Sequence, residues 1–215
     1  MEKQQKEEIK QRNAADLLVE CLQEEGVEYI FGIPGEENLA VMNAIDRSPI
    51  KFITTRHEQG AAFMADVYGR LTGKAGVCLA TLGPGATNLV TGVADADSDG
   101  APLVAITGHQ FLDLTKMFEP ITKRTKMVVR PDTVGEIVRL AFKYAESEKP
   151  GATHIDMPVN VAKMPVSEGE KPLRKKIAPK EYAELDTVQD AAGMIFQAKN
   201  PVILAGSGVV RGHAA

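Results

Sequence analysis

Only two cysteines, Cys21 and Cys78, occur in the 215 residues. Neither has a partner at metal-ligand spacing. The first falls in a helical pattern and the second in an apolar strand pattern, so both are expected to be buried thiols in a reducing compartment. Positive charge is scarce as a pattern: the formal net charge is -4, and the lysines and arginines are scattered rather than striped, which leaves no field for a nucleic-acid backbone. No apolar run approaches the ~20 residues of a membrane span. The polar start, MEKQQKEEIKQRN, has neither the apolar core of a signal peptide nor the acid-poor character of a transit peptide. The expected setting is cytoplasmic, with neither membrane nor nucleic acid as a partner. Chemistry-bearing motifs are few as well. There is no G-x-S-x-G, P-loop or paired-cysteine motif, and His57, His109, His154 and His213 are too far apart in sequence to suggest a local metal site.

What is present is an alternation of helical and strand periods from Asn13 onward, the pattern of a parallel sheet wrapped by helices. Asn13 is placed to cap a helix over 14–25, and Gly26 to stop it. Strands are predicted over 27–32, 51–54, 76–81, 103–107, 126–129 and 154–157. Helices are predicted over 37–45, 57–71, 86–96, 113–118 and 133–146. Runs such as Val77-Cys78-Leu79-Ala80 and Leu103-Val104-Ala105-Ile106 are apolar on both faces, so helices are expected on both sides of a doubly wound, mostly parallel α/β sheet. The charged, proline-bearing run SEGEKPLRKKIAP reads as a linker. The expected layout is a polar tail at 1–12, a domain at 13–167, a linker at 168–185, and the incomplete start of a second α/β domain at 186–215. That last part should hold a helix over 186–199, capped by Asp186, and a strand over 201–205.

Four segments carry candidate chemistry, three of them at strand ends, where open α/β sheets place their ligands. In Phe31-Gly32-Ile33-Pro34-Gly35-Glu36-Glu37-Asn38, two glycines around a proline make a tight turn with little side-chain bulk, suited to a flat ring or simply to a strand-to-helix turn. In Arg56-His57-Glu58-Gln59-Gly60-Ala61-Ala62-Phe63-Met64-Ala65, Glu58 heads a helix whose stripe of Ala61, Ala62, Ala65 and Gly69 implies very close packing. A carboxyl group desolvated there could hold or share a proton, though a first-turn glutamate also simply complements the helix dipole. Thr81-Leu82-Gly83-Pro84-Gly85-Ala86-Thr87-Asn88 is a glycine turn in which Pro84 removes a donor and Asn88 stands where a dinucleotide fingerprint needs glycine. A phosphate cradle is a weak reading of it, and a turn that sets Thr81 and Asn88 beside a polar heterocycle is at least as good. From spacing alone, His109-Gln110-Phe111-Leu112-Asp113 is a polar strand end without an assigned role.

Taken together, GIPGEENL, RHEQGAAFMADVYGR, TLGPGATNL, APLVAITG and HQFLDLTKMFEPITK resemble, in order and spacing, the large catalytic subunit of acetolactate synthase, over nearly the whole chain. The resemblance implies the thiamine diphosphate pyrimidine-binding fold. It further implies that Glu58 hydrogen-bonds the pyrimidine ring nitrogen and promotes the tautomer that removes the thiazolium proton. Pro34, Gly35, Thr81 and Asn88 would lie around the pyrimidine, and Gln110 near the reacting end. The implied reaction condenses two pyruvates, or pyruvate and 2-ketobutyrate, to an acetohydroxy acid with release of CO2. A pyruvate oxidase, a 2-keto acid decarboxylase, or a non-catalytic α/β module dimerising through the small-residue stripe are the alternatives. The resemblance also implies a homodimer or tetramer that shares its active site between subunits, leaves FAD and a small regulatory subunit open, and assigns the stripe to the dimer contact. Family members carry a longer connection between ITG and HQ. No GDG motif followed by Asn-Asn is present, and Ser98-Asp99-Gly100 lacks that downstream partner. The Mg2+ and diphosphate ligands are therefore expected in a C-terminal domain, and this chain alone is expected to be inactive.

Overall fold

The computed structural model describes residues 11–109, 111–175 and 183–212, which fall into two units, one running to Lys175 and one from Lys176. The first unit contains six strands: β1 (Tyr29–Gly32), β2 (Lys51–Thr54), β3 (Gly76–Ala80), β4 (Leu103–His109), β5 (Arg124–Met127) and β6 (Ala152–Pro158). They form one sheet in the order β2-β1-β3-β4-β6-β5, and every neighbouring pair is parallel. The chain runs outward from β1 to β2 and then returns to place β3 on the other flank of β1. The C-terminal ends of β1 and β3 therefore border a switch point, where a sheet of this kind opens a crevice for a ligand.

Helices cover both faces, as the doubly apolar strands require. On one face, α1 (Ala14–Glu24), α2 (Leu39–Asp46), α7 (Val134–Glu146) and α8 (Val159–Ala162) pack against Val77, Leu79, Val104, Ile106 and Ile155. On the other, α3 (Glu58–Thr72), α4 (Pro84–Asn88), α5 (Val90–Asp99) and α6 (Leu114–Phe118) pack against Cys78, Ala80, Leu103, Ala105 and Ala152. The alternation of these residues along β3 and β4 is the two-residue period of a strand buried on both sides. Local chemistry sets the helix ends. The Asn13 side chain accepts from the Asp16 N–H at 3.0 Å, and the Asp16 carboxylate accepts from the Asn13 N–H at 3.0 Å. Gly26, at φ +82°, then turns the chain out of α1. Both cysteines are free and buried, and burial pushes each thiol up to about 12.

Several boundaries differ from the sequence reading: β5 starts two residues before the strand expected over 126–129, and β6 extends beyond 154–157 at both ends. The helix expected over 86–96 is two helices, α4 and α5. Gly83, at φ +58°, and Pro84 in the first turn start the first of them early. β4 runs on to His109, so that residue is in the sheet and pairs with Pro158 of β6. In the second unit, α9 (Leu185–Gln197) begins one residue before Asp186, which lies inside the first turn instead of capping it. A short α10 (Ser207–Arg211) follows. The strand expected over 201–205 is not formed. A strand needs a neighbour to take its N–H and C=O groups, and the described residues of this unit supply none.

Candidate active site

The turn after β1, the head of α3 and the turn after β3 converge beside the switch point. His57 caps α3, its Nδ1 accepting from the Gln59 N–H at 3.1 Å, and this puts Glu58 at the first helical position. The Asn88 side chain, at the end of α4, donates to Glu58 Oε2 at 2.9 Å. No hydrogen bond to Oε1 is formed among the described residues. A half-buried carboxylate with one oxygen fixed and the other available is thus presented at the crevice.

Around it the two glycine turns close on Thr81. A Cβ at Gly35 would stand 2.1 Å from Thr81 Cγ2, and one at Gly85 would stand 2.6 Å from Thr81 Oγ1 and 3.4 Å from Glu58 Oε1. Any side chain at either glycine would collide with Thr81, so both turns need glycine for close approach. Asn38, buried, braces the first turn: its Oδ1 accepts from the Gly35 N–H at 2.9 Å and its Nδ2 donates to the Ile33 carbonyl at 3.3 Å. Sequence reading assigned Asn38 no role, although its place three residues after Gly35 is an Asx-type bracing position. Of the site residues named from the sequence, Gly35, Glu58, Thr81 and Asn88 are brought together. Pro34 is exposed on the same turn, and Gln110 lies outside the described residues.

The stripe of small residues has a different partner from the one expected. Ala61, Ala62 and Ala65 have no exposed surface, and they face this chain's own elements. A Cβ at Gly92 of α5 would stand 2.6 Å from Ala62 Cβ, one at Gly76 of β3 would stand 2.0 Å from the Ala65 carbonyl oxygen, and one at Gly69 would stand 2.3 Å from the Pro102 carbonyl oxygen. The stripe is therefore an intrachain contact and not a dimer surface. Small residues on one helix face report that something is close, and here a glycine-bearing helix and strand are close. The opposite face of α3 shows Met64, Val67 and Leu71, which are 48%, 49% and 82% exposed.

Residues 12–128, more than half of the chain, match the family described as thiamine pyrophosphate enzyme, N-terminal TPP binding domain. The chain belongs to this family. Among curated relatives it is 41% identical over 216 residues to the acetolactate synthase of Bacillus subtilis (strain 168), covering 95% of this chain and 37% of that protein. It is 39% identical over 214 residues to the probable acetolactate synthase large subunit of Methanococcus aeolicus, covering 92% of this chain and 36% of that protein. With acetolactate synthase isozyme 1 large subunit of Escherichia coli (strain K12) the identity is 37% over 218 residues, 95% of this chain and 39% of that protein. The chain thus spans well under half the length of these relatives.

The residues present fit the pyrimidine end of thiamine diphosphate. A ring nitrogen needs one carboxyl oxygen, which Glu58 Oε1 can give, and Gly85 puts no side chain in front of that oxygen. No group of three or more His, Cys, Asp or Glu side chains among the described residues is placed to hold a metal ion. Asp99, of the Ser98-Asp99-Gly100 near-match, is instead paired with Arg70 at 2.8 Å. Among the described residues no helix is long and apolar enough to cross a membrane.

Proposed function

We propose that this chain supplies the pyrimidine-recognising, proton-activating part of an acetolactate synthase, which condenses two pyruvates, or pyruvate and 2-ketobutyrate, to an acetohydroxy acid with release of CO2. The observation that carries the reading is the Glu58 carboxylate, held at Oε2 by Asn88 with Oε1 beside Gly85 of the turn after β3. When bound, thiamine diphosphate supplies an electron sink for decarboxylating a 2-keto acid. The residues of this chain do the rest of what is assigned here. Asn88 fixes the carboxylate, so Glu58 meets a ring nitrogen without first reorganising. Glu58 Oε1 holds or shares the proton that this nitrogen needs to change tautomer. Thr81, Gly35 and Pro34 border the ring, and Gln110 is assigned to the reacting end.

The reading includes a Mg2+-bound diphosphate site outside the residues described, a cytoplasmic setting, which two free buried thiols suit, and a homodimer or tetramer. For the last, the exposed apolar face of α3 replaces the buried stripe as the surface assigned to a second copy, because Met64, Val67 and Leu71 leave the helix that carries Glu58 incompletely covered. A pyruvate oxidase or a 2-keto acid decarboxylase would use the same pyrimidine cradle; the high identity to acetolactate synthases across nearly the whole chain favours the synthase. The test is Glu58→Gln in the complete enzyme. Exchange of the cofactor C2 proton is expected to slow on the order of 10²–10⁴-fold, with the fold intact. Exchange at the parent rate would sink the assignment.

A further inference from the structure

A second polar assembly lies one strand further along the sheet, and nothing in the Glu58 cradle uses it. His109 closes β4, and its Nδ1 sits 2.6 Å from Asp156 Oδ2 on β6. The two are 47 residues apart in sequence, and parallel pairing of β4 with β6 brings them together. Asp156 has no exposed surface, and among the described residues no hydrogen bond of ordinary geometry reaches its Oδ1. Behind it a closed chain of polar groups runs through the interior. Thr107 Oγ1 lies 2.9 Å from His154 Nε2 and Thr125 Oγ1 lies 2.7 Å from His154 Nδ1, while Phe118 stacks on the His154 ring at 4.1 Å. Burial pushes His154 down to about 3, so it stays neutral and both its nitrogens are occupied. Burial also pushes Asp156 up, to about 6, against the pull of His109, and Asp113 adds a smaller push the same way. Thr107 opposes the rise weakly without satisfying Oδ1.

A buried carboxylate with an unpartnered oxygen is a costly way to fill a sheet, because desolvation is only partly returned by one bond, and apolar residues would fill such a position as well or better. The position of the pair gives the cost a use. The backbone just before His109 abuts the turn that lines the cradle: a Cβ at Gly108 would stand 3.4 Å from Leu82 N and 3.8 Å from the Thr81 carbonyl carbon. His109 itself keeps 21% of its side chain exposed; its Nδ1 is taken by Asp156, and no described residue bonds its Nε2.

We propose that His109 and Asp156 form a proton-transfer dyad beside the pyrimidine cradle. Asp156 is the positioning residue that holds His109 with Nδ1 protonated, and Nε2 is the working nitrogen for the oxygen of a carbonyl substrate. As a carbonyl carbon gains a bond, its oxygen takes the proton from Nε2–H and the imidazolium becomes neutral imidazole. When the C=O is restored, the proton returns to Nε2, so the cycle needs no other reactant. The proposal rests on the thiamine diphosphate reading above, but its first test does not.

In the chain with no cofactor added, long-range ¹H–¹⁵N correlations on labelled imidazoles report which nitrogen of His109 carries the proton. The neutral ring is expected as the Nδ1–H form, and Asp156→Ala is expected to release it to the Nε2–H form that free imidazole side chains favour. A wild-type Nε2–H ring would overturn the dyad whether or not the variant folds. In the complete enzyme, His109→Asn and Asp156→Asn are expected to lower kcat on the order of 10²-fold with KM changed less than about threefold, and Asp156→Glu to recover part of the loss. A parent-like kcat in both would overturn the role while leaving Glu58 untouched. A C2-exchange rate indifferent to Glu58→Gln, beside a Nδ1–H His109, would indict the cofactor reading and not the dyad.

Discussion

The two faces of the sheet are built on opposite principles. The face carrying α1 and α7 is filled by Leu17, Leu18, Leu22, Ile137, Val138 and Phe142, large side chains that hold the helices off the strands. The face carrying α3 and α5 is filled largely by Ala61, Ala62, Ala65, Ala80, Ala96, Ala105 and Ala152, with glycines at the closest contacts. The second face also carries the cradle. Close approach of α3 to β3 and α5 is what brings a carboxylate at the head of one helix within 2.9 Å of an amide at the end of a neighbouring short one. Bulk stabilises one side, and the absence of bulk places the chemistry on the other.

That contrast is testable by breaking each face in the way it should tolerate least. On the bulky face, Glu25 is buried and both its carboxylate oxygens meet Arg139. Arg139→Met would leave the carboxylate with Lys175 alone, 3.8 Å from its Oε2, and is expected to cost about 3 kcal/mol in denaturant unfolding. Burial already raises Glu25 from 4.5 to about 7, so the folded state binds the proton more tightly than the unfolded chain. The variant's deficit should therefore stay flat below about 7, where both folded proteins keep the proton, and grow as the pH rises above it. Leu18→Ala, on the same face, should cost about 2–5 kcal/mol through its cavity. Removing bulk is the injury there. Across the sheet, adding it is: Ala62→Leu would press on Gly92 and should cost about 1–3 kcal/mol, with its main readout a weakened Glu58–Asn88 pairing. Glu58→Gln closes the series. It should alter stability by no more than about 0.5 kcal/mol while abolishing most C2 exchange, and a large loss of stability in that variant would mean the carboxylate holds the fold together.

Legibility in the sequence followed the range of the interaction. The cap at Asn13, the strand at Lys51–Thr54 and the placing of Glu58 at a helix head depend on neighbours a few residues away, and they were read correctly. The stripe on α3 announced close packing but not its partner, because an alanine face fits a glycine of the same chain as well as another subunit. The His109–Asp156 bond was missed because it depends on β6 lying between β4 and β5, an order that no local pattern specifies. A clue was present: His154 and Asp156 are two titratable residues on alternate positions of an otherwise apolar strand. Gln110 lies outside the described residues, so its place at the reacting end rests on the family resemblance alone.

The strand order also bears on how the protein is made. Gly35, Glu58, Thr81 and Asn88 all precede β4, so a chain emerging from its N-terminus carries the complete cradle before anything covers the outer flank of β3. That strand is buried at all five positions in the finished fold. Until β4 arrives it is an open, apolar edge of the kind that recruits other chains, and β4 in turn must wait for β6. The yield of usable protein should accordingly depend on the speed and temperature of synthesis, and on the chaperones within reach, more than on the final stability of the cradle.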